Sequence, residues 1–283
     1  MSRGNGARLI AALALAAALL PAGARAAEGE DAIVFSTPPT QPPDVTRRNF
    51  QPLVDYLSHK SGRKIRLVPA RSFLEYANKM RAGEYDMLFD GPHFIAWRLK
   101  HLDHTVLAKL PGKLRFYVVV REDAGIGKVS DLVGKRVCGP ASPNLATLSF
   151  IDEFRNPARQ PIVIPVKSFR HALMCLKKGK SVASVFRDKF WDRKVPGGAK
   201  KGLTVLAVID RNVPDRGFSI TREVDAETRR KLRKALIATS DTEIAAKVLA
   251  SIGGARKGFV PATDAEYRGL ERLLRPVWGF HKD

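Results

Sequence analysis

The sequence predicts an α/β protein of two lobes joined by two extended crossings. Apolar, strand-like runs alternate with helix-like segments from residue 31, and the same alternation restarts at Arg115 after the Pro111-Gly112 break. Extended segments within residues 202–220 then lead into a helical C-terminal stretch. The expected boundaries are residues 27–115 and 217–283 for the first lobe and residues 116–216 for the second lobe.

The elements of the first lobe follow from short-range patterns. Apolar runs predict the strands, and apolar residues at helical spacing predict the helices between them. Ser72 and Glu75 have the spacing of a capping box that opens the second helix, and Gly83 ends that helix. This alternation is typical of a largely parallel sheet covered by helices. The predicted strands are residues 31–36, 64–69 and 85–89.

The second lobe repeats the pattern. The sequence RVCGPASPNLATL, residues 136–148, predicts a strand, a turn of small polar residues and the start of a helix. A helix at residues 168–178 follows, and the C-terminal stretch is helical from Leu232 to Leu274 because its apolar residues recur at helical spacing. The other predicted strands and extended segments are residues 115–120, 162–166, 182–186, 202–209 and 217–220.

The first residues are typical of a secretory signal peptide. Two arginines precede a continuous Ala/Leu run at residues 9–20, Pro21 ends the run, and the small residues Ala24 and Ala26 fit a cleavage site. The run is too short to cross a bilayer as a helix. We therefore expect residues 1–26 to direct export and to be removed near Ala26.

The chain is strongly basic, with 49 Lys and Arg against 28 Asp and Glu and a formal net charge of +21. A charge this large would suit a nucleic-acid-binding protein, but the sequence has no nucleic-acid motif and no basic arm. We therefore expect no nucleic-acid partner. A positive field that attracts anions towards a cleft, or towards an acidic membrane partner, fits better, and a basic surface without function is the alternative.

The two cysteines, Cys138 and Cys175, can pair in an oxidising compartment. Cys138 ends a strand and Cys175 lies in the helix of a later unit, so both can belong to one sheet-and-helix layer. We expect a disulfide that stabilises the fold by about 4 kcal/mol in the chain-entropy model. Two buried free thiols are the alternative.

The strand-to-helix turn after Cys138 is the main candidate site. Ser142 and Asn144 precede a helix whose first backbone N–H groups have no partner within the helix. Such N–H groups, with the helix dipole, attract a small anion. If the two side chains serve only as caps, they satisfy the same N–H groups without a ligand.

Polar residues after the strands of the first lobe are further candidates. Ser36 and Thr37 follow the first strand, and they are otherwise ordinary turn residues. His93 begins a helix after the third strand, where it either contacts the ligand and makes binding sensitive to pH or is a solvated turn residue. Tyr117 lies at the crossing between the lobes, where it either lends a hydroxyl to a ligand or only packs.

Enzyme motifs are missing from the sequence. It has no Gly-x-Ser-x-Gly elbow and no His-Glu-x-x-His metal pair, and Gly125-Ile126-Gly127 lacks the third glycine of a dinucleotide loop. His101, Asp103 and His104 have no fourth metal ligand nearby and are expected in a polar loop. We therefore expect a protein that is not an enzyme and has no cofactor and no metal site.

Four segments, taken together and in order, carry a family resemblance. The chain resembles the phosphate, phosphite and phosphonate substrate-binding proteins of ABC importers over nearly all of its length after the signal peptide. The segments are FQPLVDYLSHKSGRKIRL (residues 50–67), AGEYDMLFDGPHFIAW (82–97), VSDLVGKRVCGPASP (129–143) and GFVPATDAEYRGL (258–270).

The resemblance implies the type II periplasmic-binding-protein fold, with two lobes and two hinge crossings. It also implies a periplasmic, monomeric receptor that closes on a small oxyanion and delivers it to a membrane permease. A separate ATPase powers that permease, so no nucleotide motif is expected here. The alternatives are a sensory receptor of the same fold and a receptor for a non-phosphorus anion such as a sulfonate or a carboxylate.

Several candidate positions take their roles from the family pattern. Family members that bind a phosphonate usually have Ser-Thr-Ser-Gly where this chain has residues 142–145, Ser-Pro-Asn-Leu, so one hydroxyl and one amide donor are lost. Arg170 stands where the family tends to have His, and its guanidinium could bind an oxyanion with two hydrogen bonds. Arg187 and Asp188 end a strand where the family can hold a carboxylate for a substrate amine. A surface ion pair is the alternative for those two residues.

Overall fold

The computed structural model describes residues 32–239, 242–251 and 258–280 of the 283-residue chain. The predicted signal peptide and its cleavage site near Ala26 lie outside these residues. Within the described part of the chain, no helix is both long and apolar enough to cross a membrane.

The strands of the described residues form two five-stranded sheets. Because short apolar runs alternate with helices, the first three strands of each sheet are parallel, as expected for βαβ units. The strands are β1 (Ile33–Ser36), β2 (Ile65–Leu67), β3 (Met87–Asp90), β4 (His104–Lys109), β5 (Lys113–Arg121), β6 (Arg136–Pro140), β7 (Ile162–Val166), β8 (Ala183–Arg187), β9 (Leu203–Pro214) and β10 (Gly217–Thr221).

The two sheets share one topology. The first has the order β2-β1-β3-β10-β4 and the second has the order β7-β6-β8-β5-β9. In each sheet the fourth strand comes directly from a crossing and is antiparallel to both neighbours. The two crossings lie side by side, because the Leu110 N–H donates to the Arg216 carbonyl at 2.8 Å. These features confirm the predicted α/β class with two sheets and two crossings.

The helices begin and end where the sequence signals indicate. Ser72 caps the second helix by accepting a hydrogen bond from the Glu75 N–H at 3.1 Å, and Gly62 ends the first helix at a positive φ of 73°. The helices are α1 (Pro43–Ser61), α2 (Phe73–Arg81), α3 (Pro92–His101), α4 (Leu145–Ile151), α5 (Phe169–Lys177), α6 (Asp188–Lys194), α7 (Gly197–Lys200), α8 (Ala226–Ala238) and α9 (Glu243–Ser251).

Two local expectations are wrong. His104 is not in a polar loop: it is the first residue of β4 and is buried, since β10 pairs with that strand. The C-terminal stretch from Tyr267 is not a regular helix but forms short 3-10 turns. Gly269, with a φ of 80°, separates those turns, which explains why apolar spacing alone does not produce an α-helix there.

The predicted disulfide is present. Cys138 of β6 and Cys175 of α5 are bonded, with their Cα atoms 6.5 Å apart. The bond lies in an apolar cluster that includes Phe186 and Trp191, so it connects the middle of the second sheet to the helix that covers it. The structure therefore agrees with the predicted pairing and not with two free thiols.

Candidate ligand-binding site

The carboxyl ends of the parallel strands carry most of the predicted site residues. Ser36 ends β1, Asp90 ends β3, Pro140 ends β6 and Arg187 ends β8. Ligands of open α/β sheets bind beyond such ends. The turns after these four strands therefore define the candidate site.

One hydrogen bond joins the candidate turns of the two sheets. His93, at the start of α3, has its Nε2 atom 3.1 Å from the carbonyl oxygen of Pro143, in the turn before α4. The His93 ring is 4 % exposed, and its Nδ1 atom is buried with no hydrogen-bond partner among the described residues. Burial lowers the pKa of His93 to about 4, although the Asp90 carboxylate opposes this shift. His93 is therefore neutral at neutral pH, with one ring nitrogen left over.

The start of α3 is built for this close approach. A Cβ atom on Gly91 would lie 2.6 Å from Cε1 of His93, so only glycine leaves room for the imidazole. Pro92 follows as the first helical residue, where its missing N–H costs nothing. The Gly-Pro-His sequence thus places the ring against the second sheet's turn.

A buried ion pair fixes α3 to β3. Both Arg98 and Asp90 have fully buried side chains, and the guanidinium donates to the two carboxylate oxygens at 2.7 and 2.8 Å. Tyr76 also donates its hydroxyl to Asp90, and Arg98 donates to the Ser219 hydroxyl at 2.9 Å. Burial and the Asp90 charge raise the pKa of Tyr76, so its hydroxyl keeps its proton. This satisfied network holds β3, α3 and β10 in one arrangement.

The turn before α4, unlike the start of α3, includes an exposed polar residue. Ser142 is exposed, and its peptide bond to Pro143 is cis. Asn144 caps α4 by accepting a hydrogen bond from the Ala146 N–H at 3.0 Å. Thr147 donates its hydroxyl to the Pro140 carbonyl at 2.7 Å, and a Cβ atom on Gly139 would collide with that hydroxyl at 2.5 Å. The glycine and the threonine therefore shape the turn, while Ser142 keeps its hydroxyl towards solvent.

Three other predicted residues already use their hydroxyl protons. Ser36 donates to the Val68 carbonyl at 2.7 Å, and Thr37 donates to the Phe89 carbonyl at 2.8 Å. Tyr117 donates to the Asp192 carboxylate at 3.3 Å. Tyr117 lies in the middle of β5, not at the crossing where it was expected. An oxyanion needs donors, so in this arrangement the three hydroxyls hold protein groups in place rather than offer a proton to a ligand.

A cationic cluster lies where β8 meets the second crossing. Asp215, only 2 % exposed, accepts from Arg187 at 2.5 Å and is within 3.6 Å of both Lys189 and Arg216. Burial lowers the pKa of Arg216, although Asp215 acts against that shift. The Nε atom of Arg187 is buried without a hydrogen-bond partner among the described residues. Three cations around one carboxylate leave excess positive charge at the end of β8.

Two predicted residues remain: Asp188, which lies beside this cluster, and Arg170, which lies on α5. Asp188 is buried and accepts from Arg115 at 3.3 Å and from the Lys189 N–H at 2.6 Å. Arg170 is exposed near the start of α5, and no ion pair to it is formed within the described residues. Among those residues, no cluster of three or more His, Cys, Asp or Glu side chains could hold a metal ion.

Comparison with known proteins identifies the family. The family model described as "ABC transporter, phosphonate, periplasmic substrate-binding protein" matches residues 35–267. The chain belongs to this family. The family comprises periplasmic substrate-binding proteins of phosphonate ABC transporters, which confirms the predicted family and general function. No curated protein sequence matches the chain.

Solved structures share the fold at low sequence identity. The chain is similar to PhnD1 from Prochlorococcus marinus in complex with methylphosphonate, with a TM-score of 0.65, 14% identity, and 87% and 98% of the two chains covered. It is also similar to XAC2383 from Xanthomonas citri bound to ATP (TM-score 0.69, 15% identity, 86% and 95% covered). A third neighbour is the phosphonate-transporter binding protein PA3383 from Pseudomonas aeruginosa (TM-score 0.62, 14% identity, 86% and 85% covered). These likenesses confirm the two-lobed periplasmic-binding-protein fold.

Sequence reasoning missed the charged residues that organise the site. The local sequence patterns assign no role to Asp90 or Arg98, although a strand-ending Asp eight residues before an Arg is compatible with an ion pair across the helix start. Asp215 and Arg216 lie in a Pro-Asp-Arg-Gly segment between extended stretches. An acidic residue next to a basic residue at a crossing was the available signal for this cluster. The partner of Asp215, Arg187, lies 28 residues earlier in the chain, so the sequence does not reveal the pair.

Proposed function

We propose that the protein binds a small phosphorus oxyanion, of the phosphate or phosphonate type, between its two sheets and delivers it to the permease of an ABC importer. The supporting observation is the contact of His93 with Pro143, which brings the ends of strands from both sheets to one place. Contacts that both lobes make only in the closed state shift the population towards closure when ligand binds.

In this proposal Ser142, Asn144 and Arg170 carry the anion. Ser142 supplies an exposed hydroxyl, the Asn144 amide can donate from the cap of α4, and Arg170 supplies an exposed guanidinium on α5. Arg187 contributes a buried Nε–H donor that has no partner among the described residues. Neutral His93 donates its Nε2–H to the Pro143 carbonyl, so its Nδ1 atom is an acceptor and can bind only a protonated oxygen of the anion. Ser36, Thr37, Tyr117 and Asp188 have a supporting role, since each is already engaged in a hydrogen bond.

The finer features of this function are part of the proposal. The chain is exported and cleaved near Ala26, it acts as a monomer, and it releases its ligand unchanged because it is not an enzyme. Nucleic acid is not a partner. Cleavage removes Arg3, Arg8 and Arg25, so the formal net charge falls from +21 to +18, and this strong positive charge attracts the anion to the cleft.

A thermal-shift screen of the mature protein tests the proposal. A ligand at about a hundred times its dissociation constant adds about 2.7 kcal/mol to stability, so phosphate, phosphite, methylphosphonate, sulfate, sulfonates and small carboxylates can be compared directly. We expect a shift with a phosphorus oxyanion that Ser142→Ala and Arg170→Ala abolish. Lys177→Ala removes an exposed charge from the other end of α5 and should leave the shift unchanged.

The result also decides between the proposed ligands. A shift with a sulfonate or a carboxylate, and none with any phosphorus compound, would overturn the ligand class while leaving the fold intact. A shift that survives both site substitutions would place the ligand elsewhere. Recovery of a chemically altered ligand would show an enzyme.

A further inference from the structure

A second cationic pocket lies on the first lobe, where α8 passes the start of β4. Three arginines of α8, Arg229, Arg230 and Arg233, line a cavity of about 270 Å³ together with Thr105 and Ala226. Positions 226, 229, 230 and 233 lie on one face of a helix, since they are separated by three or four residues or are adjacent. No carboxylate is among the lining residues.

The arginines of this pocket are not neutralised as other charges of α8 are. Lys231 forms an ion pair with Glu227 at 2.8 Å, and the capping residue Asp225 accepts from the Thr228 N–H and pairs with Arg63. Neither Arg229 nor Arg230 forms an ion pair within the described residues. The Glu227 carboxylate, which pairs with Lys231, also feels the charge of Arg230. Like charges one helical turn apart destabilise a helix, so a bound anion would offset the remaining positive charge of the pocket.

One arginine is fixed and another has an unused donor. Arg233 donates to the Val106 carbonyl at 2.7 Å, which holds its guanidinium against the start of β4. The Nε atom of Arg229 is buried with no hydrogen-bond partner among the described residues. Buried donors in native proteins nearly always have a partner, and the described residues supply none for this one.

Among the described residues, the acid beside Thr105 is already engaged. Asp264 is the carboxylate beside Thr105, but it accepts from the Thr105 hydroxyl, from the Val106 N–H at 2.7 Å and from Arg222 at 3.0 Å. The pocket also lies on the first two turns of α8, where the helix dipole adds positive potential.

We propose that Arg229, Arg230 and Arg233 form a second anion site that binds a phosphate group. Arginine suits this role because its planar donors match phosphate oxygens, and Arg229 and Arg230 have donors available. The site is separate from the one between the sheets and does not depend on it. The phosphate group comes either from free inorganic phosphate or from the headgroup of an anionic phospholipid, since both present the same oxygens.

Two binding measurements on the mature protein distinguish these sources. Inorganic phosphate is titrated in equilibrium dialysis, and co-sedimentation is measured with phosphatidylcholine vesicles with and without phosphatidylglycerol. The variants are Arg229→Gln and Arg230→Gln, and the control is Lys234→Gln, which removes an exposed charge of the same helix outside the pocket. Arg230 is exposed, so its variant remains informative if Arg229→Gln fails to fold.

We expect each arginine variant to weaken binding about tenfold, the loss of one charge-assisted contact, and the lysine variant to change it less than about twofold. In dialysis, one class of phosphate site should disappear while any site between the sheets remains. Arginine-dependent binding to anionic vesicles alone assigns a lipid headgroup, and arginine-dependent binding of free phosphate assigns the soluble anion. Equal weakening by Lys234→Gln, or no binding of either probe, would overturn the proposal.

Discussion

The two lobes use different interactions to fix a covering helix to the sheet. In the first sheet, an ion pair joins Asp90 of β3 to Arg98 of α3. In the second sheet, a disulfide joins Cys138 of β6 to Cys175 of α5. Each device connects a strand to a helix that covers it, and each helix carries a proposed ligand residue near its start. A helix is thus fixed to its sheet by an ion pair in the first lobe and by a covalent bond in the second lobe.

The difference determines what each lobe responds to. A buried ion pair holds its groups in place only while both partners are present, because one charge left alone is very costly. A disulfide acts mainly by restricting the unfolded chain and is indifferent to the polarity around it. The first lobe should therefore be sensitive to substitution and to pH, and the second lobe to reductant.

The largest effect is expected when the ion pair is broken. Asp90→Asn leaves the Arg98 guanidinium buried with no carboxylate, which should lower the free energy of unfolding by about 3–5 kcal/mol. Urea denaturation measures this. The control is Asp44→Asn, whose partner Arg48 lies 3.7 Å away with both side chains more than 70 % exposed, so the loss should be at most about 1 kcal/mol. Equal losses for the two variants would show that the buried network contributes nothing special.

Loss of the disulfide should have a similar or slightly smaller effect. The bond links residues 37 positions apart, so replacing both cysteines by serine should lower the free energy of unfolding by about 4 kcal/mol. The same loss should follow from adding reductant to the wild-type protein, and reductant should not affect the double variant. Because the two devices lie in different sheets, the losses from Asp90→Asn and from the cysteine variant should add. Strong non-additivity would contradict the independence of the lobes.

The pH response of the first lobe should come next in size. His93 has its pKa lowered from 6.5 to about 4 by burial, so the unfolded chain binds the proton more readily between these values. Stability should therefore fall as the pH drops from about 6.5 to about 4, by about 3 kcal/mol from this group, and His93 should add nothing further below pH 4. Burial also lowers the pKa of His104, to about 2, so His104 should continue the decline at lower pH. His104 also loses stability from pH 6.5 downwards, so His93→Gln should remove about half of the loss between pH 6.5 and 4 and leave the decline below pH 4 unchanged, whereas substitution of the exposed His59 should leave both parts unchanged.

The contrast between lobes also shows how far sequence reasoning reaches. Local signals, such as the Ser72 cap, the alternation of elements and the strand-to-helix turn before Asn144, predict the two sheets because they depend on near neighbours in the chain. The disulfide was predictable because only one cysteine pair exists. The partners of Asp90 and Asp215 were not predictable, since several arginines compete for each carboxylate and only tertiary packing selects one. His104 was misplaced for the same reason, because β4 is defined by its pairing with β10.

The smallest effect separates capping from binding. Asn144→Ala removes the cap of α4 and should cost about 1 kcal/mol of stability, as should Ser72→Ala, which removes the cap of α2. Only Asn144 lies beside the contact between the sheets, so only Asn144→Ala should also weaken ligand binding in the thermal-shift screen. If both variants lose stability equally and both retain ligand, Asn144 is a cap alone, and the anion is held by Ser142 and the arginines. Each cap accepts one backbone N–H of its helix, so the difference between the two variants in ligand binding measures what the second lobe's turn adds beyond folding.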